Sequence, residues 1–146
     1  MIAKNKVLVV DIDGTLCPEK SEEQSYADLP AEPRITTRLR ELHGQGWHII
    51  LHSSRGMRSN GGNLGALNKN VLPVMLDWLA RHDVPFDELV LGKPWAGHDG
   101  FYIDDRAVRP REFLENDFEA LRALLARDRL TVRQQRQPAP GPGDAA

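Results

Sequence analysis

The sequence predicts an α/β fold: a three-layer sandwich in which helices cover both faces of a mostly parallel sheet. Short continuous apolar runs alternate along the chain with segments of helical periodicity. Strands that alternate with helices in this way are typical of βαβ units, which join parallel strands. The 146 residues are enough for one domain with its own core. We predict a single domain over residues 1–130, and a disordered tail over residues 131–146 because they are rich in Pro and Gly and poor in apolar residues.

The first strand is predicted from the uninterrupted apolar run Val7–Val10, which is typical of a strand buried on both faces. Residues 17–33 are polar and contain three prolines, which indicates a flap or loop. A helix that ends at Gly44 is predicted next, because the apolar residues Ile35, Leu39 and Leu42 recur every three to four positions. The second apolar run, Trp47–Leu51, predicts the next strand.

Residues 56–70 are rich in Gly and Asn and predict a mobile loop. Pro73 suits the first turn of a helix. The apolar face predicted for that helix, which we assign to the core, consists of Val71, Val74, Met75, Trp78 and Leu79. Two more short strands are predicted at Glu88–Leu91 and Phe101–Ile103. A final helix is predicted from Pro110 to Asp128, and its apolar stripe consists of Leu114, Phe118, Leu121 and Leu125.

Composition excludes several classes of function. The formal net charge is −2, so there is no general basic excess of the kind that binds nucleic acid or anionic membranes. No apolar run approaches the roughly 20 residues that span a bilayer. Cys17 is the single cysteine, which excludes an internal disulfide and favours a reducing compartment. We therefore expect a cytoplasmic protein that binds neither nucleic acid nor membranes.

The chemistry is concentrated where the predicted strands end. The four apolar runs are followed by Asp11 and Asp13, by Ser53, by Lys93, and by Asp104 and Asp105. Each group alone has an ordinary explanation as a turn, a cap or a solvated charge. The carboxyl ends of parallel strands, however, line one edge of a sheet, where ligands bind. We therefore expect all four groups to converge.

This set is chemically complete for attack on a phosphate monoester. Carboxylates in one crevice repel each other unless a hard cation such as Mg²⁺ is held between them through oxygen ligands. Lys93 supplies a positive charge, Ser53 a hydroxyl, and the amides of residues 12–15 backbone donors for phosphoryl oxygens. One aspartate can act as nucleophile, while the aspartate two residues away transfers protons.

At this point the sequence resembles the haloacid dehalogenase superfamily of phosphatases and phosphotransferases. The matching segments are DIDGT at residues 11–15, IILHSSR ending at Arg55, LGKP with Lys93, and FYIDD ending at Asp105. They occur in the family's order. More narrowly, residues 53–65 and 92–114 resemble the small phosphatases of capsule-polysaccharide biosynthesis.

The resemblance implies a Rossmann-like fold without a cap domain and a Mg²⁺-dependent phosphatase. Asp11 would be the nucleophile that forms an aspartyl-phosphate, and Asp13 the general acid and base. Mg²⁺ would be held by Asp11, the backbone carbonyl of Asp13, and Asp104, with Asp105 as a direct ligand or a nearby support. The substrate would be a small phosphate ester, a sugar or polyol phosphate, and a site without a cap is compatible with a homo-oligomer.

Side chains in the loops around these motifs are candidates for binding the substrate. Beside the turn residues Gly14 and Thr15 and the hydroxyl of Ser54, we include Arg55, Arg58, Lys69, Trp95, His98 and Arg106. Ordinary solvated side chains would account for about half of the loop residues in this set.

The sequence is also compatible with other functions. A phosphotransferase or mutase of the same superfamily would pass the phosphoryl group to an acceptor other than water. A non-enzymatic receiver-like domain also combines acidic residues, a hydroxyl residue and a lysine at strand ends, but it needs an aspartate where this chain has HSSR. A glycosyltransferase with a DxD motif is disfavoured because the chain has no room for an acceptor domain.

Overall fold

The computed structural model describes residues 5–132, and the chain divides after Gly100 into two compact units. The first unit contains three parallel strands in the order β1-β2-β3, namely β1 (Val7–Val10), β2 (His48–Ser53) and β3 (Glu88–Leu91). The predicted α/β class and parallel sheet are confirmed. The arrangement of helices over both sheet faces and the absence of a cap domain stay predictions.

Three helices belong to the same unit: α1 (Pro33–Gly44), α2 (Leu64–Asn70) and α3 (Leu72–Arg81). The predicted flap before α1 contains one turn of 3₁₀ helix, Tyr26–Asp28. Its end is anchored because the indole nitrogen of Trp78 donates a buried hydrogen bond to the carbonyl of Leu29. The core is formed by the apolar faces of the helices against one face of the sheet, with Ile35, Leu39, Ile49, Leu51, Leu67, Met75, Trp78 and Leu79 fully or almost fully buried.

The two faces of the sheet are covered unequally. Along β2 the buried side chains alternate with half-buried ones, and Ser53 is the last buried residue of the strand. On the opposite face Val9 is 63% exposed and Val90 is 43% exposed. The prediction that the first strand is buried on both faces is therefore wrong for Val9. The reason is that Val9 is in register with Ile50 and lies on the less covered face of the sheet, opposite to the face with Ile49 and Leu51.

Two predictions about residues 56–81 are corrected. The segment predicted as a mobile loop ends in α2, because the side chain of Asn63 accepts a hydrogen bond from the Ala66 amide and caps the helix. Leu67 is fully buried and holds α2 against the core. In α3 the predicted core residue Val74 is 41% exposed instead, since α3 turns Met75 and Trp78 toward the core.

Residues 110–128, where a single helix was predicted, form two helices instead. These are α4 (Pro110–Glu115) and α5 (Phe118–Asp128). The break occurs because Asn116 is in an extended conformation and the Asp117 side chain accepts from the Ala120 amide, which starts a new helix. Leu121 is the one residue of 101–132 that is buried, and the other members of the predicted stripe are half-buried.

The fourth predicted strand is not formed among the described residues. Phe101–Ile103 belongs to no strand or helix, and Phe101 and Ile103 are 76% and 92% exposed. The prediction was wrong because an apolar run becomes a strand only where another strand supplies backbone partners. Residues 133–146, where most of the predicted disordered tail falls, lie outside the described residues. No helix within residues 5–132 is long and apolar enough to span a membrane.

A pair of glycine variants separates backbone strain from packing. Gly56 has φ +78°, and a Cβ there would lie 2.5 Å from Val71 Cγ2 and 2.9 Å from Leu67 Cδ2. Gly61 has φ +57° with no atom within 4 Å of its Cβ position. We expect Gly61→Ala to cost about 1–2 kcal/mol from the left-handed backbone alone. Gly56→Ala should cost about 1–3 kcal/mol more through overpacking. Urea unfolding of both variants tests this, and equal losses would contradict the packing argument.

Candidate active site

Asp11 follows directly after β1 and lies between a cation and a hydroxyl. Its Oδ1 accepts from Lys93 Nζ at 3.3 Å, and its Oδ2 accepts from the Thr15 hydroxyl at 3.2 Å. The Asp11 side chain is 33% exposed and that of Lys93 is 18% exposed. The carboxylate is therefore oriented from both sides and is still open to solvent on the remaining side.

Asp13 is held by a different cation. Arg55 Nε donates to Asp13 Oδ2 at 3.0 Å and Arg55 Nη2 donates to Oδ1 at 2.9 Å, so the pair is bidentate. The Arg55 side chain is 2% exposed, whereas that of Asp13 is 24% exposed. Asp13 was predicted as an acid–base residue and Arg55 as a substrate contact. The structure instead pairs the two with each other.

The guanidinium of Arg55 is enclosed by residues of the flap. Its Cζ lies 4.1 Å from the centre of the Tyr26 ring, a cation–π contact. Its Nη2 lies 3.9 Å from Cys17 Sγ, and the Cys17 thiol in turn lies 3.8 Å from Asp13 Oδ1. Burial, with Asp13 second, raises the pKa of Cys17 to about 12, so this thiol is protonated at neutral pH. Burial likewise raises the pKa of Tyr26.

Ser53 ends β2 beside the carboxylates. It is buried, and its Oγ accepts a hydrogen bond from the Arg55 amide at 3.0 Å, which leaves the hydroxyl hydrogen for another acceptor. The Ser53 carbonyl also accepts from the Lys93 amide at 3.2 Å, so the end of β2 positions the second residue after β3. Ser54 is half-buried, and its carbonyl accepts from the Met57 amide in the following turn.

The turn after Asp11 uses half of the amides that were expected to bind phosphoryl oxygens. The Gly14 amide donates to the Cys17 carbonyl at 2.8 Å, and the Thr15 amide donates to the Ile12 carbonyl at 3.1 Å. Gly14 has φ +84°, which favours glycine at this point of the turn. These two amides therefore donate within the turn itself, whereas the amides of Ile12 and Asp13 precede it. Phosphate binding at this turn stays a prediction.

Three of the predicted substrate contacts form a cluster between the loops that follow β2 and β3. Arg58 Nη1 lies 3.2 Å from His98 Nε2, and Arg58 Cζ lies 6.0 Å from the Trp95 ring centre. The rings of Trp95 and His98 meet edge to face at 5.2 Å, and Trp95 is 43% exposed. A half-exposed indole beside a cation is suited to bind a polar ring. Lys69 lies in the last turn of α2 and is exposed.

The remaining predicted residues, Asp104, Asp105 and Arg106, belong to the second unit. There the Arg106 amide donates to Asp104 Oδ1 at 2.7 Å, and Arg129 Nε donates to Asp105 Oδ2 at 2.9 Å. All three are exposed. Their convergence with Asp11 stays a prediction.

Asp11 and Asp13 differ in the oxygen atoms that they could offer to a metal ion. Mg²⁺ prefers carboxylate and carbonyl oxygens. Asp11 offers a partly solvated carboxylate, whereas both oxygens of Asp13 are already bound by Arg55, which leaves only the Asp13 backbone carbonyl for a metal. No three His, Cys, Asp or Glu side chains within residues 5–132 are grouped so that they could hold a metal ion. The first unit therefore fits part of an Mg²⁺ site, and further oxygen ligands are required.

Two residues near the site were not identified from the sequence. Tyr26 lies in the polar flap, and a lone aromatic residue in such a segment was the available signal. His52 is the penultimate residue of β2, and burial followed by the charge of Lys93 lowers its pKa, while Asp11 opposes this shift. The alternation along β2 could have indicated that His52 and Ser53 lie on opposite faces.

Comparisons with known proteins identify a relative of unstated activity. A crystal structure of a target protein from Vibrio cholerae is 43% identical with a TM-score of 0.80, and the match covers 85% of this chain and 99% of that chain. A crystal structure of D,D-heptose 1,7-bisphosphate phosphatase from B. bronchiseptica, complexed with magnesium and phosphate, is 20% identical. Its TM-score is 0.44, and the match covers 66% of this chain and 54% of that chain. No family model matches the chain, and no curated protein matches it.

The protonated thiol of Cys17 makes a testable prediction. With a pKa of about 12, against 9.0 for an ordinary thiol, Cys17 should react slowly with iodoacetamide at pH 8. The loss of thiolate alone predicts about a thousandfold slower reaction in the native protein than in the unfolded chain. Mass spectrometry of both forms measures the two rates. Native labelling as fast as that of the guanidinium-unfolded control would contradict the assignment.

Proposed function

We propose that this chain, which belongs to the same protein family as the Vibrio cholerae protein, is a Mg²⁺-dependent phosphate monoester hydrolase of the haloacid dehalogenase type. The observation that carries the proposal is the pairing of Asp11, which follows β1, with Lys93, which follows β3, while Ser53 ends the strand β2 that lies between them. This arrangement places a carboxylate nucleophile, a cation and a hydroxyl donor at one edge of a parallel sheet.

Asp11 is the proposed nucleophile because its position is controlled from two sides. Lys93 and Thr15 each bind one of its oxygens, which fixes the direction of the carboxylate. An oxygen of Asp11 would attack phosphorus and the P–O bond to the alcohol would break, which leaves an aspartyl-phosphate. Water then attacks that phosphorus and releases inorganic phosphate with the Asp11 carboxylate restored.

Asp13 is the proposed proton-transfer residue, and Arg55 governs how it acts. The bidentate contact binds the carboxylate form of Asp13, which is the form that can accept a proton from the attacking water. To protonate the leaving oxygen in the first step, Asp13 must carry a proton, and one contact to Arg55 is then weakened. Arg55 is thus a positioning residue for Asp13, and Tyr26 and Cys17 hold Arg55 in place.

The developing charge on the phosphoryl group would be met by nearby donors. Lys93 supplies a positive charge and Ser53 a hydroxyl hydrogen. When bound, Mg²⁺ would neutralise negative charge on the carboxylates and on the phosphoryl oxygens. The residues proposed to hold it are Asp11, the backbone carbonyl of Asp13, and Asp104, with Asp105 as a further ligand or support.

The proposed substrate is a small sugar or polyol phosphate. Support comes from the cluster of Arg58, Trp95 and His98, which combines a half-exposed aromatic face with donors for hydroxyl groups. A role in capsule or other surface-polysaccharide synthesis follows from the sequence resemblance alone. Transfer of the phosphoryl group to an alcohol is the alternative outcome, and an assay with added alcohol distinguishes it from hydrolysis.

The nucleophile is tested with Asp11→Asn. Because an amide cannot form the aspartyl-phosphate, we expect hydrolysis of an aryl phosphate and of a sugar-phosphate panel to fall to background, with the fold intact by circular dichroism. EDTA should abolish wild-type activity, and added Mg²⁺ should restore it. The matched control is Asp77→Asn, which removes an exposed carboxylate paired with Arg81 on the surface of α3. Wild-type turnover by Asp11→Asn would refute the proposed mechanism.

The positioning role of Arg55 is tested with Arg55→Lys. Lysine keeps the charge but cannot form the bidentate contact, so Asp13 should lose its orientation. We expect kcat to fall about tenfold to a hundredfold with little change in KM. The exposed pair of Arg34 and Glu32 supplies the control, since Arg34→Lys should leave both parameters unchanged. A rise in KM with unchanged kcat would instead make Arg55 a substrate contact.

A further inference from the structure

Arg58 differs from the two cations of the candidate site in how its charge is compensated. Lys93 is paired with Asp11, and Arg55 is paired with Asp13. Among the described residues of the first unit, no Asp or Glu side chain forms an ion pair with Arg58, which is exposed. The positive charge of Arg58 is therefore available to an anionic group from outside this unit.

Two aromatic side chains hold the Arg58 guanidinium where a carboxylate holds that of Arg55. Arg58 Nη1 lies 3.2 Å from His98 Nε2. An arginine can only donate, so this nitrogen of His98 accepts, and the ring hydrogen is assigned to Nδ1. Trp95 completes the cluster, because Arg58 Cζ lies 6.0 Å from its ring centre and its ring meets that of His98 edge to face. The two rings orient the guanidinium without neutralising its charge.

The contact to His98 leaves one edge of the Arg58 guanidinium for a ligand. A guanidinium has five N–H donors in one plane, and this contact uses a donor on Nη1. The Nε and Nη2 atoms of Arg58 donate to no group within the described part of the first unit. In Arg55 the same two nitrogens bind the Asp13 carboxylate in bidentate fashion. The corresponding edge of Arg58 is suited to a carboxylate or a phosphate.

The cluster lies on loops that start at the candidate site. Trp95 is two residues after Lys93, and Arg58 is three residues after Arg55. Two residues of chain span at most about 7 Å, and three span at most about 11 Å. Both loops begin at the carboxyl ends of strands, β3 in the first case and β2 in the second. An anion bound by Arg58 would therefore be close enough to belong to the same small substrate as the phosphate at Asp11.

We propose that Arg58 binds a second anionic group of the substrate, a carboxylate or a phosphate that is not hydrolysed, and that His98 and Trp95 position Arg58 for this contact. The inference rests on the proposed function, since the first anionic group is the phosphate that Asp11 attacks. Trp95 is 43% exposed and can pack against the part of the substrate between the two groups. The substrate class narrows to sugar or polyol phosphates that carry a second negative group.

Three sugar phosphates that differ only at carbon 6 test the contact. Glucose 1-phosphate has a hydroxyl there, glucuronic acid 1-phosphate a carboxylate, and glucose 1,6-bisphosphate a second phosphate. Calorimetric titration of the Asp11→Asn chain with Mg²⁺ measures the three Kd values without turnover. We expect at least one anionic compound to bind about tenfold to a hundredfold more tightly than glucose 1-phosphate, because a charge-assisted contact is gained. Equal affinities, or no binding of any compound, would overturn the proposal.

The same titration identifies the residue and the kind of anion. Addition of Arg58→Gln should reduce the preference for the anionic compound to about onefold, because glutamine has no charge. The matched control is Arg34→Gln, which removes an exposed arginine of α1 and should keep the preference. The compound with the larger gain tells a carboxylate from a phosphate. A preference that survives Arg58→Gln would refute the assignment to Arg58.

The positioning role of His98 is tested with two variants of one site. His98→Gln supplies an amide oxygen that can accept from Arg58, whereas His98→Leu supplies no acceptor. The preference for the anionic compound should therefore persist in His98→Gln and be lost in His98→Leu. Equal preferences in the two variants would refute the role of His98 as an acceptor.

Turnover separates this inference from the proposed function. With Mg²⁺ and otherwise wild-type sequence, Arg58→Gln should raise KM for the preferred compound about tenfold or more with little change in kcat. Hydrolysis of all three compounds by the wild type with equal KM values would refute the second anion contact while leaving the phosphatase intact. A preference in binding, without hydrolysis of any phosphate ester by the wild type, would count against the proposed function alone.

Discussion

Two carboxylates two residues apart at the end of a strand repel each other, and the site is organised around the compensation of that repulsion. Asp11 is paired with Lys93 and Asp13 with Arg55, so each carboxylate has its own cation. The cations come from the segments after β3 and β2, which meet β1 only because the three strands are parallel and in register. The charge pairing and the sheet topology therefore depend on each other, and loss of either cation would leave a carboxylate uncompensated.

The two ion pairs differ in exposure, and this difference separates the roles of the aspartates. The guanidinium of Arg55 is almost fully enclosed by Asp13, Tyr26 and Cys17. Lys93 and Asp11 are both more accessible and are joined by a single contact. The Asp11 carboxylate, held by the Lys93 ammonium group and the Thr15 hydroxyl, keeps one side open to solvent, whereas the Asp13 carboxylate is held in a fixed orientation by two nitrogens of a buried guanidinium. Tyr26 of the flap thereby helps to hold Arg55 against Asp13.

The fold around this site is stabilised on one side more than on the other. The face of the sheet with Ile49 and Leu51 packs on a continuous core, while the face with Val9 is exposed at an open strand edge.

The sequence by itself determined the α/β class, the three strands of the sheet, and the positions of Asp11, Ser53 and Lys93 at strand ends, because period and composition are local properties. It also determined α1, because the spacing of its apolar residues and the glycine at its end both predict the helix that is observed. Only the tertiary structure decided that Arg55 binds Asp13, that Asn63 starts a helix in a Gly-rich segment, and that Phe101–Ile103 forms no strand. The contact between Arg55 and Asp13 joins residues that are 42 positions apart, and an apolar run does not state which backbone, if any, it will meet. The Asn63 cap is local, but composition alone does not distinguish a capping asparagine from one in a Gly-rich loop.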